Sequence, residues 1–198
     1  MRLEGRNLSW RYEGGPWLFT DFNLSLQPGE TVGLTGPSGS GKTSLGRLLA
    51  GYAKPITGEV TVAGRSKQNS GYDPVQMIFQ HPERAVNPRW RLAKTVAEGW
   101  SPDASLLEAL GIREDFLQRY PNELSGGELQ RCCIARAFGP GTKFLIADEM
   151  TTMLDAITQA QIWHTVLDIA AARQIGLLVI SHDHALVNKI CDRTVSFG

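Results

Sequence analysis

Residues Gly36-Pro37-Ser38-Gly39-Ser40-Gly41-Lys42-Thr43 satisfy the pattern G-x-x-x-x-G-K-[ST] at every fixed position. No other feature constrains the fold as much, because such a loop works only between a strand and a helix. Glycines let the backbone bend so that successive N–H groups point inward at an anion. A helix starting there turns its positive dipole end to the same anion. Lys42 adds a mobile positive charge suited to the β- and γ-phosphates of a nucleotide, and Ser44 follows in the first helical turn. The Thr43 hydroxyl suits Mg²⁺, which takes oxygen ligands in octahedral geometry. The bland alternative is an accidental glycine-rich turn, for which composition gives odds of about 1 in 100. The flanks lower those odds further. Thr31 to Thr35 reads as a short apolar strand, and Ser44 to Ala50 as a helix stopped by Gly51. The loop alone does not say which nucleotide hydrolase carries it.

Before the loop, Leu3 to Leu26 reads as strands broken by the turn Glu13-Gly14-Gly15-Pro16. Gly58 to Ala63 and Val75 to Gln80 read as further strands. From His81 to Gly139 helical signals take over, with helices expected over Ala104 to Leu110, Arg113 to Tyr120 and Gly126 to Phe138. Strand and helix then alternate again: Phe144 to Ala147, Asp155 to Arg173, Leu177 to Ile180, Ala185 to Ile190 and Thr194 to Phe197. Alternation of this kind predicts an α/β core with a parallel sheet. The expected organisation over residues 1–198 is one domain, with 1–80 and 140–198 as core and 81–139 as an inserted helical subdomain.

Phe144-Leu145-Ile146-Ala147-Asp148-Glu149 is an apolar strand ending in two acids. Strand ends of open α/β sheets are where ligands bind. Successive strand residues face opposite ways, so the two acids do different jobs unless the strand has already ended. Asp148 suits Mg²⁺, directly or through water, and Glu149 suits alignment and deprotonation of an attacking water. A solvated Asp-Glu pair is the alternative, disfavoured by the phosphate loop upstream.

Composition excludes several classes. Twenty basic residues balance 20 acidic ones, so the basic excess of a nucleic-acid binder is missing and no nucleic-acid partner is expected. The three cysteines, Cys132, Cys133 and Cys191, have neither disulfide-framework nor zinc spacing. Small apolar side chains in a reducing compartment are the expectation. No apolar run is long enough to span a bilayer, and Met1 to Gly5 lacks the apolar core of a signal peptide. The chain is expected to be soluble by itself, brought to any membrane by something else.

Leu124-Ser125-Gly126-Gly127-Glu128-Leu129-Gln130-Arg131 resembles the signature of ATP-binding cassette (ABC) ATPases, with Glu128 where glutamine is common. The other elements of that family follow in order. Tyr12 resembles the aromatic that stacks on adenine, with Trp10 as a nearby rival. Gln80 resembles the glutamine that touches Mg²⁺ and senses the membrane partner. Leu154-Asp155 resembles the D-loop, and His182 in Ile180-Ser181-His182-Asp183 the histidine that contacts the γ-phosphate. The resemblance covers essentially the whole chain. It implies a P-loop NTPase (RecA-like) core with an N-terminal antiparallel β segment and an inserted α-helical subdomain. It also implies ATP and Mg²⁺ as cofactors, with Glu149, His182 and Gln80 catalytic and Thr43, Gln80 and Asp148 at the metal.

Further implications concern partners. The signature, Leu124 to Glu128, reaches the nucleotide of a second cassette, so a homo- or heterodimer is expected. Membrane permease subunits, an extracytoplasmic solute-binding protein for an importer, and a peripheral place on the cytoplasmic face of the inner membrane follow from the same resemblance. Val75 to Pro82, Val86-Asn87-Pro88-Arg89 and Arg131 to Ala137 look like the peptide/nickel importer branch. Two departures stand out. That branch usually continues past the final strand into a C-terminal extension, whose functions are not carried over here. Met150 also stands where proline usually follows the glutamate. The rival expectations are a soluble cassette that moves no solute, of the C–P lyase or repair type, and a cassette that binds without hydrolysing. Lys42, Glu149 and His182 argue against the latter.

Overall fold

A computed structural model describes residues 1–66 and 71–197. Among them, the N-terminal β1 (Leu3–Trp10) and β2 (Phe19–Leu26) form an antiparallel pair. They join β4 (Thr57–Val62) and the short β5 (Arg65–Ser66) in a sheet of order β2-β1-β4-β5. The second sheet is parallel. Its order is β6-β7-β8-β3-β9, from β3 (Thr31–Thr35), β6 (Val75–Ile78), β7 (Phe144–Asp148), β8 (Gly176–Ile180) and β9 (Arg193–Ser196).

The continuous apolar runs of β7 and β8 have a direct physical reason: both faces of the parallel sheet are covered. Phe144, Ile146, Leu178 and Ile180 point to the side of α1 (Lys42–Ala50) and the antiparallel sheet. Leu145, Ala147, Leu177 and Val179 point to the opposite side. There they meet α5 (Gly126–Ala137) and α6 (Ala156–Ala172) through Ile134, Ile162 and Val166. Val187 of α7 (His184–Ile190) covers the same side of β3. Two apolar layers therefore sandwich one sheet, and the strand ends that carry polar residues are free to form a site.

The segment between β6 and β7 is helical, but less regularly than expected. Besides α3 (Ala104–Ala109) it contains α2 (Leu92–Val96), which the sequence reading did not anticipate. Leu92 and Val96, four apart, are fully buried and hold that turn against α5. The expected helix Arg113 to Tyr120 contracts to α4 (Glu114–Leu117). Pro121 forces Tyr120 into extended backbone at ψ 158, and a 3-10 turn, Pro121–Glu123, follows. The expected strand Val75 to Gln80 likewise stops at Ile78, the last residue paired with β7, so Phe79 and Gln80 leave the sheet edge.

Candidate nucleotide site

The glycine loop leaves the carboxyl end of β3 and enters α1. Its turns need glycine: Gly36 sits at φ 155, and a Cβ there would lie 2.1 Å from the Phe197 carbonyl oxygen. Gly41, at φ 106, caps α1 in left-handed backbone. Among the described residues no side chain caps the first turn of α1. Every other helix of six or more described residues has such a cap: Asp103, Ser125, Asp155 and Asp183 serve α3, α5, α6 and α7. The helix following the glycine loop thus presents free donors and a positive end, the arrangement that receives phosphate.

The Lys42 ammonium donates to the Gly36 and Pro37 carbonyls at 2.8 and 2.7 Å, lying across the loop. Ser40 is tied back through its N–H to the Pro37 carbonyl at 3.3 Å. A cavity of about 300 Å³ opens over this loop, bounded by Ser38, Gly39, Thr43 and Ser44 with Tyr12 and Glu149. The Tyr12 hydroxyl and Ser44 Oγ are 3.1 Å apart, and the residue is 55% exposed at the cavity edge. Trp10, its sequence rival, does not line the cavity, and its indole N–H is buried without a partner among the described residues.

Across the loop, Thr43 donates to Asp148 at 3.0 Å. Burial pushes the Asp148 carboxyl above its usual value, reinforced by Glu149 and opposed by the Thr43 hydrogen bond. Thr43 and Asp148 are two hard oxygen donors of the kind Mg²⁺ accepts alongside water and phosphate. The strand has ended by Glu149, whose φ of 47 swings its side chain out of the pleat. Gln80 Nε2 donates to one Glu149 oxygen at 3.0 Å, and His182 Nδ1 lies 3.2 Å from the other. Gln80 from beyond β6, Glu149 from beyond β7 and His182 from beyond β8 therefore converge at the carboxyl ends of three adjacent parallel strands.

The segment Leu124 to Glu128 is not part of this cavity. Leu124 packs on the helical-side core. Ser125 and Glu128 close a capping box at the start of α5: Ser125 Oγ accepts from the Glu128 N–H at 3.3 Å, and the Glu128 carboxylate accepts from the Ser125 N–H at 2.8 Å. That reciprocal pair gives Glu128 a structural role at the helix start, one that glutamine would also fill, and the S-x-x-E spacing discloses it. A Cβ on Gly127 would lie 3.2 Å from Leu154, whereas one on Gly126 would meet nothing within 4 Å among the described residues outside its own turn. Asp155 caps α6, accepting from the Ile157 and Thr158 N–H groups at 3.1 and 3.0 Å.

The family pattern described as "ABC transporter" matches residues 19–152. The dipeptide transport ATP-binding protein DppF of Lactococcus lactis subsp. cremoris is 39% identical over 91% of this chain and 65% of its own length. The nickel import ATP-binding protein NikE of Rhodospirillum rubrum is 35% identical over 90% of this chain and 71% of its own. The chain thus spans about two thirds of the length of these relatives. Among solved structures, the dimeric ABC transporter cassette MJ0796 superposes with a TM-score of 0.83 over 98% of this chain and 94% of that one. At 23% identity, that likeness speaks for the fold. The same cassette has been solved as a dimer bound to ADP and Pi. A family pattern over most of the chain, and relatives that align across nine tenths of it, place this protein in the ABC transporter family as an ATP-binding cassette.

Proposed function

We propose that the chain binds and hydrolyses ATP to power import of a peptide or a nickel-type metal chelate. In this reading it works as one of two cassettes beneath a membrane permease, at the cytoplasmic face. The observation that carries the proposal is the convergence of Gln80 and His182 on the Glu149 carboxylate, beside the phosphate loop. Loop N–H groups and Lys42 would hold the phosphates, and the exposed ring of Tyr12 would stack on the base. Thr43 and Asp148, with the Gln80 amide, would hold Mg²⁺, which when bound neutralises phosphate charge. Glu149 would take the proton of the attacking water, with Gln80 and His182 fixing its orientation. The start of α5, on the helical segment 81–139, would close the nucleotide site of the second cassette through Ser125, Gly126 and Gly127.

The names of the relatives favour transport over a soluble cassette, and dipeptide and nickel are the solutes those names carry. A cleft of about 640 Å³ between the helical segment and the core, lined by Tyr52, Tyr72, Phe79 and Arg136, suits the permease contact. The decisive experiment is Glu149→Gln. Turnover is expected to fall at least 100-fold while ATP-dependent dimers accumulate; undiminished turnover removes Glu149 from its role. Co-purification with a permease, and stimulation by a peptide- or nickel-loaded binding protein in proteoliposomes, test the transport half. Failure to associate with any permease favours the soluble alternative.

A further inference from the structure

We propose that Gln130, on the signature helix, is a positioning residue for the hydrolytic site, setting through the Phe79 carbonyl where the Gln80 amide meets Glu149. This rests on the hydrolytic reading above and extends it to a residue outside the site. Gln130 is only 2% exposed, deep between α5 and the sheet edge. Its Nε2 donates to the Phe79 carbonyl oxygen at 3.2 Å. That carbonyl belongs to the peptide bond leading into Gln80, whose own Nε2 reaches Glu149 at 3.0 Å. The β6–β7 ladder has already ended at Ile78, so sheet pairing does not fix the Phe79–Gln80 peptide. A side chain from another element does.

Two further observations make this joint more than packing. The Gln130 Oε1 is buried with no hydrogen-bond partner among the described residues, so the amide stands there although half of it is unsatisfied. A side chain kept only to fill volume would avoid that desolvation cost. Phe79 also borders two cavities: the cleft with Tyr52 and Arg136, and a smaller one with Thr43, Gln80 and Asp148. The Gln130 bond therefore holds a residue that, like Arg84, borders both the cleft beside the helical segment and the cavity on the catalytic side. Since Ser125 caps the start of α5, movement of the signature helix would reach the peptide before Gln80 through this bond.

The test is Gln130→Met, which keeps length and volume and removes the amide. Melting temperature is expected to stay the same or rise, and the KM for ATP to stay within about two-fold. Single-turnover hydrolysis is expected to slow about ten-fold. The decisive measurement is a double-mutant cycle with Gln80→Ala. If Gln130 acts through Gln80, Gln130→Met costs nothing further in the Gln80→Ala background. Equal fold-losses in both backgrounds, a drop in melting temperature accounting for the loss, or wild-type turnover in Gln130→Met each overturn the proposal. Absence of ATP hydrolysis in the wild-type chain would instead overturn the functional reading beneath it.

Discussion

Thr43 and Asp148 lie 105 positions apart in sequence and are joined by a 3.0 Å hydrogen bond from hydroxyl to carboxylate. The bond ties the first turn of α1 to the last residue of β7. Asp148 is buried, and burial raises its pKa above the usual carboxylate value. A carboxylate kept in that position against desolvation needs a positive partner when it is ionised.

That need gives the first prediction. Asp148→Asn retains the shape and an acceptor for Thr43 but removes the charge. Nucleotide affinity measured without divalent cation is expected to change by less than about three-fold, since the loop donors are untouched. Mg²⁺-stimulated hydrolysis is expected to fall at least 100-fold. A magnesium titration of both proteins checks this, and matching activation curves would remove Asp148 from the metal.

A second prediction concerns acid. The Ser125 N–H lowers the Glu128 pKa from its ordinary 4.5, and the Thr158 hydroxyl, with backbone N–H groups, lowers that of Asp155 from 3.8. Folded values below unfolded ones mean that both caps stabilise fully above the unfolded pKa and lose their contribution as pH falls through the folded one. The Glu128→Gln, Asp155→Asn double variant keeps side-chain acceptors but does not titrate. Between about pH 5 and pH 3 its melting temperature should fall less steeply than that of the wild type. Parallel slopes would show that the caps do not contribute to acid lability.

Much of the site was legible because its chemistry is written in contiguous residues. Gly36 to Thr43 carries its own strand and helix, and Asp148-Glu149 follows an apolar strand whose two covered faces account for its lack of alternation. What escaped were features that depend on distant partners. Leu92 and Val96 form a helix because α5 lies beneath them, and five residues hold too little periodicity to announce it. Gln130 reads as one more polar residue on a helix until the fold brings the Phe79 carbonyl beside it. The Glu128 cap is different: its S-x-x-E spacing is visible in the sequence, and only the bond it makes to Ser125 waits on the fold.

Cysteine reactivity offers a third prediction. Burial raises the thiols of Cys132 to about 12, Cys133 to about 11 and Cys191 to about 11. At pH 8 the thiolate fraction of Cys132 is on the order of one in ten thousand. Cys132 and Cys133 are also shielded, whereas Cys191 is partly exposed. Native protein treated with an alkylating reagent should therefore modify Cys191 first, and the adjacent pair only on unfolding. Mass spectrometry with time resolves the order. Rapid labelling of Cys132 in folded protein would contradict the packing of α5.

The final prediction separates a folding role from an assembly role at Gly126. A Cβ at this position meets no atom of the described residues within 4 Å beyond its own helix turn and neighbours, and its φ is not in the left-handed region. Nothing among the described residues therefore requires glycine. Alanine in a helix is more stable than glycine by up to about 1 kcal/mol, so Gly126→Ala should melt at the same temperature or slightly higher. The open space at the start of α5 is where the proposed second cassette would bring its nucleotide, and there an added methyl would intrude. Hydrolysis is expected to fall at least ten-fold with ATP binding to the chain's own loop unchanged, because Gly126 does not line that cavity. Mixing Gly126→Ala with Lys42→Ala protein sharpens the test. Each dimer of the two variants then has one site spoiled from both sides and one site intact, so part of the activity should return. Wild-type turnover in Gly126→Ala alone would mean that no partner nucleotide reaches this helix end.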